Sequence, residues 1–233
     1  MFPTTLLPLA AFQANSHLEL HATSAAVQGY VDWITTADRP PAGKTYVPVV
    51  RLPHEPRSSE EVLERLEDLS KTTPLFSRNK DAYHYLLAEL VDNIYEHARA
   101  SRAYVMAQYY PRKGLIEVSF MDDGMTIPRS LGHGLGATYP PNRAYQAILD
   151  ALSGKSSKEG GLRGYGLSSS ARLVNGLGGE ALIVSARGAV VSTSAGRRLP
   201  YALREQNQLD GTLVSFRLPD SERTVNLYAL VEE

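Results

Sequence analysis

LLAELVDNIYEHA, residues 86–98, is the stretch from which the rest of the chain can be read. As an α-helix it turns by ~100° per residue. Leu87, Leu90, Val91, Ile94 and Ala98 then form one apolar stripe that faces a core. Glu89, Asn93 and His97 recur at intervals of four and line a polar face beside that stripe. An amide oxygen there suits a hard cation, which prefers oxygen donors. An acid one turn away can orient or deprotonate a water. A solvated helix edge accounts for the same three residues, so the stretch alone leaves both readings open.

Downstream, SRAYVMAQYY and LIEVSFM read as two strands joined by PRKG, a hairpin rich in Tyr, Val and Ile. The second strand runs into DDGMTIP, residues 122–128. A carboxylate at this strand end can accept from an exocyclic amine such as that of adenine, and the glycine after it admits a close approach. Asp-Gly is also an ordinary turn signal. Further on, KSSKEGGLRGYGLSSSARL (155–173) combines glycines and hydroxyls with the cations Lys155, Lys158 and Arg163 ahead of the helix. Backbone amides in a glycine loop and the positive end of a helix starting near Gly166 would cradle a polyphosphate. A flexible glycine-rich loop is the competing reading. The stretch is not the G-x-x-x-x-G-K-[ST] loop, and no strand leads into it as the dinucleotide fingerprint requires.

Around these motifs the chain reads as follows. A weakly patterned helix is predicted from His17 to Ile34. ADRPPAGKTYVPVVRLPHEPRSS (37–59) is dense in proline and reads as a linker with one extended piece, Tyr46 to Arg51. Ser58 or Ser59 caps a helix EEVLERLEDLS that buries Val62, Leu63, Leu66 and Leu69. The long helix spans Asp81 to Ala100, with His84 inside it as a packing residue. Residues 129–161 read as a mobile, lid-like segment with one helix near Asn142 to Leu152. The helix after the glycine loop ends at Gly176 to Gly179. ALIVSAR, AVVSTS and TLVSFRL are strands, and SERTVNLYALVEE holds one short helix.

Helices followed by consecutive antiparallel strands imply an α+β fold. It is a two-layer α/β sandwich, mostly antiparallel, with helices on one sheet face. Residues 1–58 form an N-terminal extension and linker, 59–219 the main domain and 220–233 a tail. A content of 43% hydrophobic and 21% charged residues fits a globular chain. A net charge of −1 offers no broad basic surface, so direct nucleic-acid binding is not expected. The absence of cysteine excludes disulfides and thiolate metal sites and suits a cytoplasmic setting. MFPTTLLPLAAF is apolar but lacks a basic start and is interrupted by Pro3 and Pro8. It reads as neither signal peptide nor membrane span.

Taken together, ELVDNIYEHA, MDDGMTIP, RGYGLSSSARLVNGLGG and GTLVSFRLP resemble, in order and spacing, the motifs of the GHKL ATP-binding domain. This Bergerat-type fold is shared by gyrase, Hsp90 chaperones, histidine kinases and MutL proteins. The resemblance covers Asp81 to Pro219. ALSGKSSK ahead of the second glycine box is similar to the lid end of the histidine-kinase and anti-sigma-factor-kinase branch. Thr126 and Leu162 stand where that pattern usually has glycines.

The resemblance implies ATP and Mg²⁺ as ligands and assigns roles residue by residue. Asn93 ligates the magnesium ion. Glu89 is the general base or water-orienting acid. Asp122 accepts the adenine amino hydrogen, Gly124 lets the ring approach, and Thr212 supports the same contact. Gly164, Gly166 and Leu167 wrap the phosphates, with Lys158, Arg163 and Tyr165 beside them. The use made of ATP stays open among three classes: hydrolysis that switches a protein partner, phosphorylation of a protein on serine or histidine, and non-enzymatic sensing. His54, in HEPR, faintly resembles a phosphoacceptor but lies in a proline-rich linker. The expected partners are ATP and a protein, with a homodimer as a further alternative.

Overall fold

The structure is a computed structural model. It describes residues 2–15, 21–25, 27–29, 32, 45–53, 59–155 and 166–231, without the side chains of 12–15, 97 and 231. The expected helix from His17 to Ile34 falls largely outside the described residues, as do His54 and Leu162.

Seven strands form one antiparallel sheet: β1 (Tyr46–Arg51), β2 (Ala103–Tyr110), β3 (Leu115–Asp122), β4 (Glu180–Ala186), β5 (Gly188–Ser192), β6 (Arg198–Ala202) and β7 (Leu209–Pro219). Their spatial order is β1-β2-β3-β7-β4-β5-β6. This is the two-layer α+β sandwich that the motif order predicts. Period-two alternation sorts the strands' side chains. Val105, Ala107, Ile116, Val118, Phe120, Ile183 and Phe216 face the main core.

The helices over that face are α2 (Glu60–Ser70), α3 (Pro74–Asn93), α5 (Tyr145–Leu152) and α6 (Gly166–Gly176); α1 (Pro3–Asn15) lies elsewhere, α4 (Ile127–Leu135) walls the sheet end, and a short α7 (Leu227–Val231) packs on α6. The predicted stripe Leu87, Leu90, Val91, Ile94, Ala98 is buried throughout.

α3 begins earlier than its periodicity suggests. Thr73 caps it by accepting from the Phe76 N–H at 3.3 Å, with Pro74 in the first turn. Asn79 leaves helical geometry at φ −135°, ψ 33°, and this kink hides the first turns from a periodicity reading. The Asn79 amide donates to the carbonyls of Leu75 (3.0 Å) and Arg223 (2.8 Å) and accepts from the Val225 N–H. It thereby ties the tail to the helix. At α2, Ser59 occupies the cap position but makes no side-chain cap bond, because its backbone is already helical (φ −79°, ψ −14°).

Four features depart from the sequence expectation. His84 is not a core residue: it points outward from α3 and meets Glu67 of α2. Part of the expected loop is the helix α4, which Gly132 and Gly134 disfavour locally. Strand β6, RLPYA, is largely exposed and carries Pro200, as an edge strand can.

The fourth departure is α1, which covers part of the sheet's opposite face and rests Leu6, Leu7 and Ala11 on Tyr104, Met106 and Leu213. Its first turn docks on Glu117, a fully buried carboxylate. Glu117 accepts from the Thr4 N–H (2.8 Å), the Thr4 hydroxyl and Arg217 Nε (2.8 Å). An acid at a helix N-terminus meets the positive end of its dipole. Lys113 and Arg217 each lie 4.8 Å from the Phe2 ring centre and pin the same end.

Candidate nucleotide site

After Asn93 the helix does not continue in α geometry. Residues Ile94–Ala98 form a π-turn, and Arg99 closes it with a left-handed backbone (φ 48°). Such turns break the i,i+4 ladder and are frequent at functional sites. The freed Ala98 carbonyl accepts from the Met125 N–H at 2.5 Å, which joins the end of α3 to the DDGM turn. A Cβ on Gly124 would lie 2.2 Å from that carbonyl. Gly124 therefore serves this helix–turn contact and is not on the cavity wall.

The two adjacent aspartates have different tasks. Burial by itself would raise the Asp123 pKa, but donors from the Ser101 hydroxyl, the Arg102 N–H and the Ser101 N–H outweigh it and hold the carboxyl below its usual range. Asp123 builds the turn. Asp122 is buried, and desolvation pushes its pKa up to about 7. The Gly124 and Thr212 backbone donors oppose that rise, and the negative Asp123 adds to it.

Asp122 sits across from Thr212 on β7, and Thr212 across from Ser185 on β4, so the three form one row at the sheet's end. Gly211 makes this row possible. Its φ is 127°, and a Cβ there would fall 1.9 Å from the Asp122 carbonyl.

Asp122 and Asn93 border a single cavity of about 130 Å³. A cavity of ~150 Å³ is known to admit a benzene ring, so the size suits an aromatic base and not water alone. Phe120, Met125, Ile127, Leu131, Thr212 and Val214 are among the residues that line it. Asn93, Lys155, Gly166 and Leu167 line it as well. The Asn93 Nδ2 donates to the Glu89 carbonyl at 2.7 Å, which fixes the amide's orientation and frees Oδ1. That oxygen is aimed at the start of α6: a Cβ on Gly166 would meet it at 2.7 Å.

Of the residues singled out in the sequence, Asn93, Asp122, Lys155, Gly166, Leu167 and Thr212 come together on this wall. Glu89 lies one turn before Asn93, half-buried, beside Tyr85 and outside the cavity lining. Burial, chiefly, and the neighbouring Glu89 raise the pKa of Tyr85. Lys158, Arg163, Gly164 and Tyr165 fall outside the described residues, as does the side chain of His97. The contribution of α4, through Ile127, Ser130 and Leu131, was not visible in the sequence because the segment read as loop. Only the Ile127-Pro128 pair at a helix start gave a hint of it.

Among the described residues no cluster of three or more His, Asp or Glu side chains exists to cage a metal. One oriented amide oxygen fits a hard cation held mainly by phosphate oxygens, as Mg²⁺ is. Replacing Gly166 by Ala tests this geometry. Gly166→Ala is expected to weaken Mg-nucleotide binding at least ~10-fold, because the new methyl, 2.7 Å from Asn93 Oδ1, displaces that side chain. Calorimetric titration of the two forms checks it.

Among the described residues no helix is long and apolar enough to cross a membrane. No curated protein matches the chain. The profile of the family described as histidine kinase-, DNA gyrase B-, and HSP90-like ATPase matches residues 78–222, which contain every strand from β2 to β7 and the whole cavity wall. The chain therefore belongs to the histidine kinase-, DNA gyrase B- and HSP90-like ATPase family.

Proposed function

We propose that the protein binds Mg-ATP in this cavity and hydrolyses it, or uses its bound state, to switch a protein partner. The observation that carries the reading is the pairing of one buried carboxylate, Asp122, with one oriented amide oxygen, Asn93 Oδ1, on the wall of a single cavity. In this reading Asp122 and Thr212 hold the adenine amine. Backbone amides at Gly166 and Leu167, with Lys155, meet the phosphates at the start of α6. Lys158, Arg163, Gly164 and Tyr165 are proposed as further phosphate contacts. Asn93 would help to hold Mg²⁺, which supplies charge neutralisation across the phosphate oxygens when bound.

Glu89 takes a proton from the attacking water. The water oxygen then bonds to the γ-phosphorus as the bond to the bridging oxygen breaks, giving ADP and phosphate.

Binding to the folded state alone must stabilise it. At 100 times the dissociation constant the gain is ~2.7 kcal/mol, or about 5–10 °C in melting temperature for a chain of this size. No shift with millimolar Mg-ATP would remove the proposal. Incubation with γ-labelled ATP then separates the uses: free phosphate identifies an ATPase, label on protein a kinase, and neither, with binding intact, a sensor.

A further inference from the structure

The third member of the cross-strand row, Ser185, does not touch the cavity, yet it controls two parts of its wall. Its side chain is fully buried. The β4–β7 ladder steps from Ser185↔Thr212 to Ala186↔Leu209, so the bulge leaves out Asp210 and Gly211. Ser185 Oγ supplies a partner where the ladder fails, donating to the Gly211 carbonyl at 3.0 Å. It accepts from the Ile127 N–H at 2.9 Å, one of the orphan donors at the start of α4. It also lies 3.0 Å from Thr212 Oγ1.

A serine hydroxyl has one proton. With that proton on the Gly211 carbonyl, Ser185 can only accept from Thr212. The Thr212 proton is then spent inside the protein, and its oxygen faces the cavity as an acceptor. Asp122, ionised above its raised pKa of about 7, is there an acceptor too. Two acceptors side by side suit an exocyclic amine and repel a carbonyl.

We propose that Ser185 is a positioning residue for base selection: it holds Thr212 as an acceptor, so that the site takes a 6-aminopurine nucleotide and rejects a 6-oxopurine one. The inference rests on the nucleotide reading given above. It goes further by assigning the discrimination to a residue outside the cavity.

The test compares ATP with inosine triphosphate, which differs in having a carbonyl where adenine has its amine. Dissociation constants are measured by calorimetry with Mg²⁺ on the full chain. The parent is expected to prefer ATP by at least ~10-fold, since sites built around a hydrogen bond reject analogues that lack it. In Ser185→Ala the Thr212 hydroxyl is free to turn its proton outward. ATP binding should weaken while inosine triphosphate binding holds or improves, so the ratio narrows at least ~10-fold. Ser185→Thr, which restores the hydroxyl, should restore the ratio.

Equal weakening of both nucleotides, or an unchanged ratio, overturns the inference, because loosened packing alone has no preference for amine over carbonyl. Should Ser185→Ala fail to fold, Thr212→Val decides the matter: it removes the polarised hydroxyl and must narrow the same ratio, and a parental ratio there overturns the proposal. If the parent binds neither nucleotide, the ATP reading itself fails, which is a distinct outcome.

Discussion

Asp122→Asn is expected to abolish the thermal shift produced by Mg-ATP and, at pH 8, to make the unliganded protein more stable than the parent. Both effects come from one buried carboxylate. Burial first, then the adjacent Asp123, raises the Asp122 pKa from 3.8 to about 7 in the folded chain. An acid whose folded pKa lies above its unfolded value stabilises the fold below the unfolded pKa, and that contribution is lost as pH rises through the folded pKa. At pH 8 the parent therefore carries an ionised, desolvated group at a cost of up to ~4 kcal/mol.

Asparagine keeps the acceptor for the Gly124 N–H, which Asp122 Oδ1 meets at 2.9 Å, and carries no charge. The melting temperature of Asp122→Asn should exceed that of the parent by several degrees at pH 8 and by less at pH 5. Nucleotide affinity moves the other way. Losing a buried, charge-assisted acceptor costs on the order of 100-fold. Parental affinity should also fall by up to ~10-fold from pH 8 to pH 6 as Asp122 takes up a proton, while the variant's stays flat. Differential scanning and titration at three pH values read all of this. An undiminished Mg-ATP shift in the variant would remove Asp122 from the adenine site.

The second large effect is expected at Glu89. Glu89→Gln should leave ATP binding within ~3-fold and lower turnover by ~10²–10⁴-fold, the range associated with loss of a positioned general base. Glutamine keeps the shape and one oxygen but cannot accept the water's proton. Glu89 stands one helical turn before Asn93, and the Glu89 carbonyl is what orients the Asn93 amide. That carbonyl belongs to the backbone, so the substitution leaves the oriented Asn93 untouched. Tyr85, beside Glu89, is 3.4 Å from the Ser169 hydroxyl at the start of α6. The acid thus stands next to the helix end proposed for the phosphates. Single-turnover phosphate release with parent and variant at matched occupancy separates binding from chemistry. Surviving turnover would place the base elsewhere.

These expectations differ in how far the chain itself announced them. The apolar stripe of α3 was legible because a 3.6-residue period survives whatever the helix packs against. The hairpin Ala103–Asp122 was legible because PRKG ends one strand and Gly114, at φ 55°, turns into the next. α4 was not, since two glycines weaken its local preference and its hold comes from Leu131 in the core and from the distant Ser185. β6 escaped because Pro200 and open exposure erase the alternation that marks a strand. His84 was misplaced because a four-residue repeat says which residues share a face but not where the neighbouring helix α2 ends and solvent begins.

At the site the division is sharper. Asn93, Asp122, Gly166 and Thr212 could be named from local motifs, because each motif is contiguous and its chemistry is carried by residue type. Their meeting on one wall followed only from the resemblance in motif order, not from any stretch read alone, and Ser185, which has no motif, was not named at all. That meeting depends on the register of three strands far apart in the chain, on a bulge that skips Gly211, and on a π-turn whose freed carbonyl binds the DDGM segment. Local sequence determined which groups were on offer: an acid at a strand end, an amide on a helix, glycines before a helix. Tertiary structure alone decided which of them face each other and how strongly they are desolvated, because strand register and burial are set by contacts between segments that no single stretch contains.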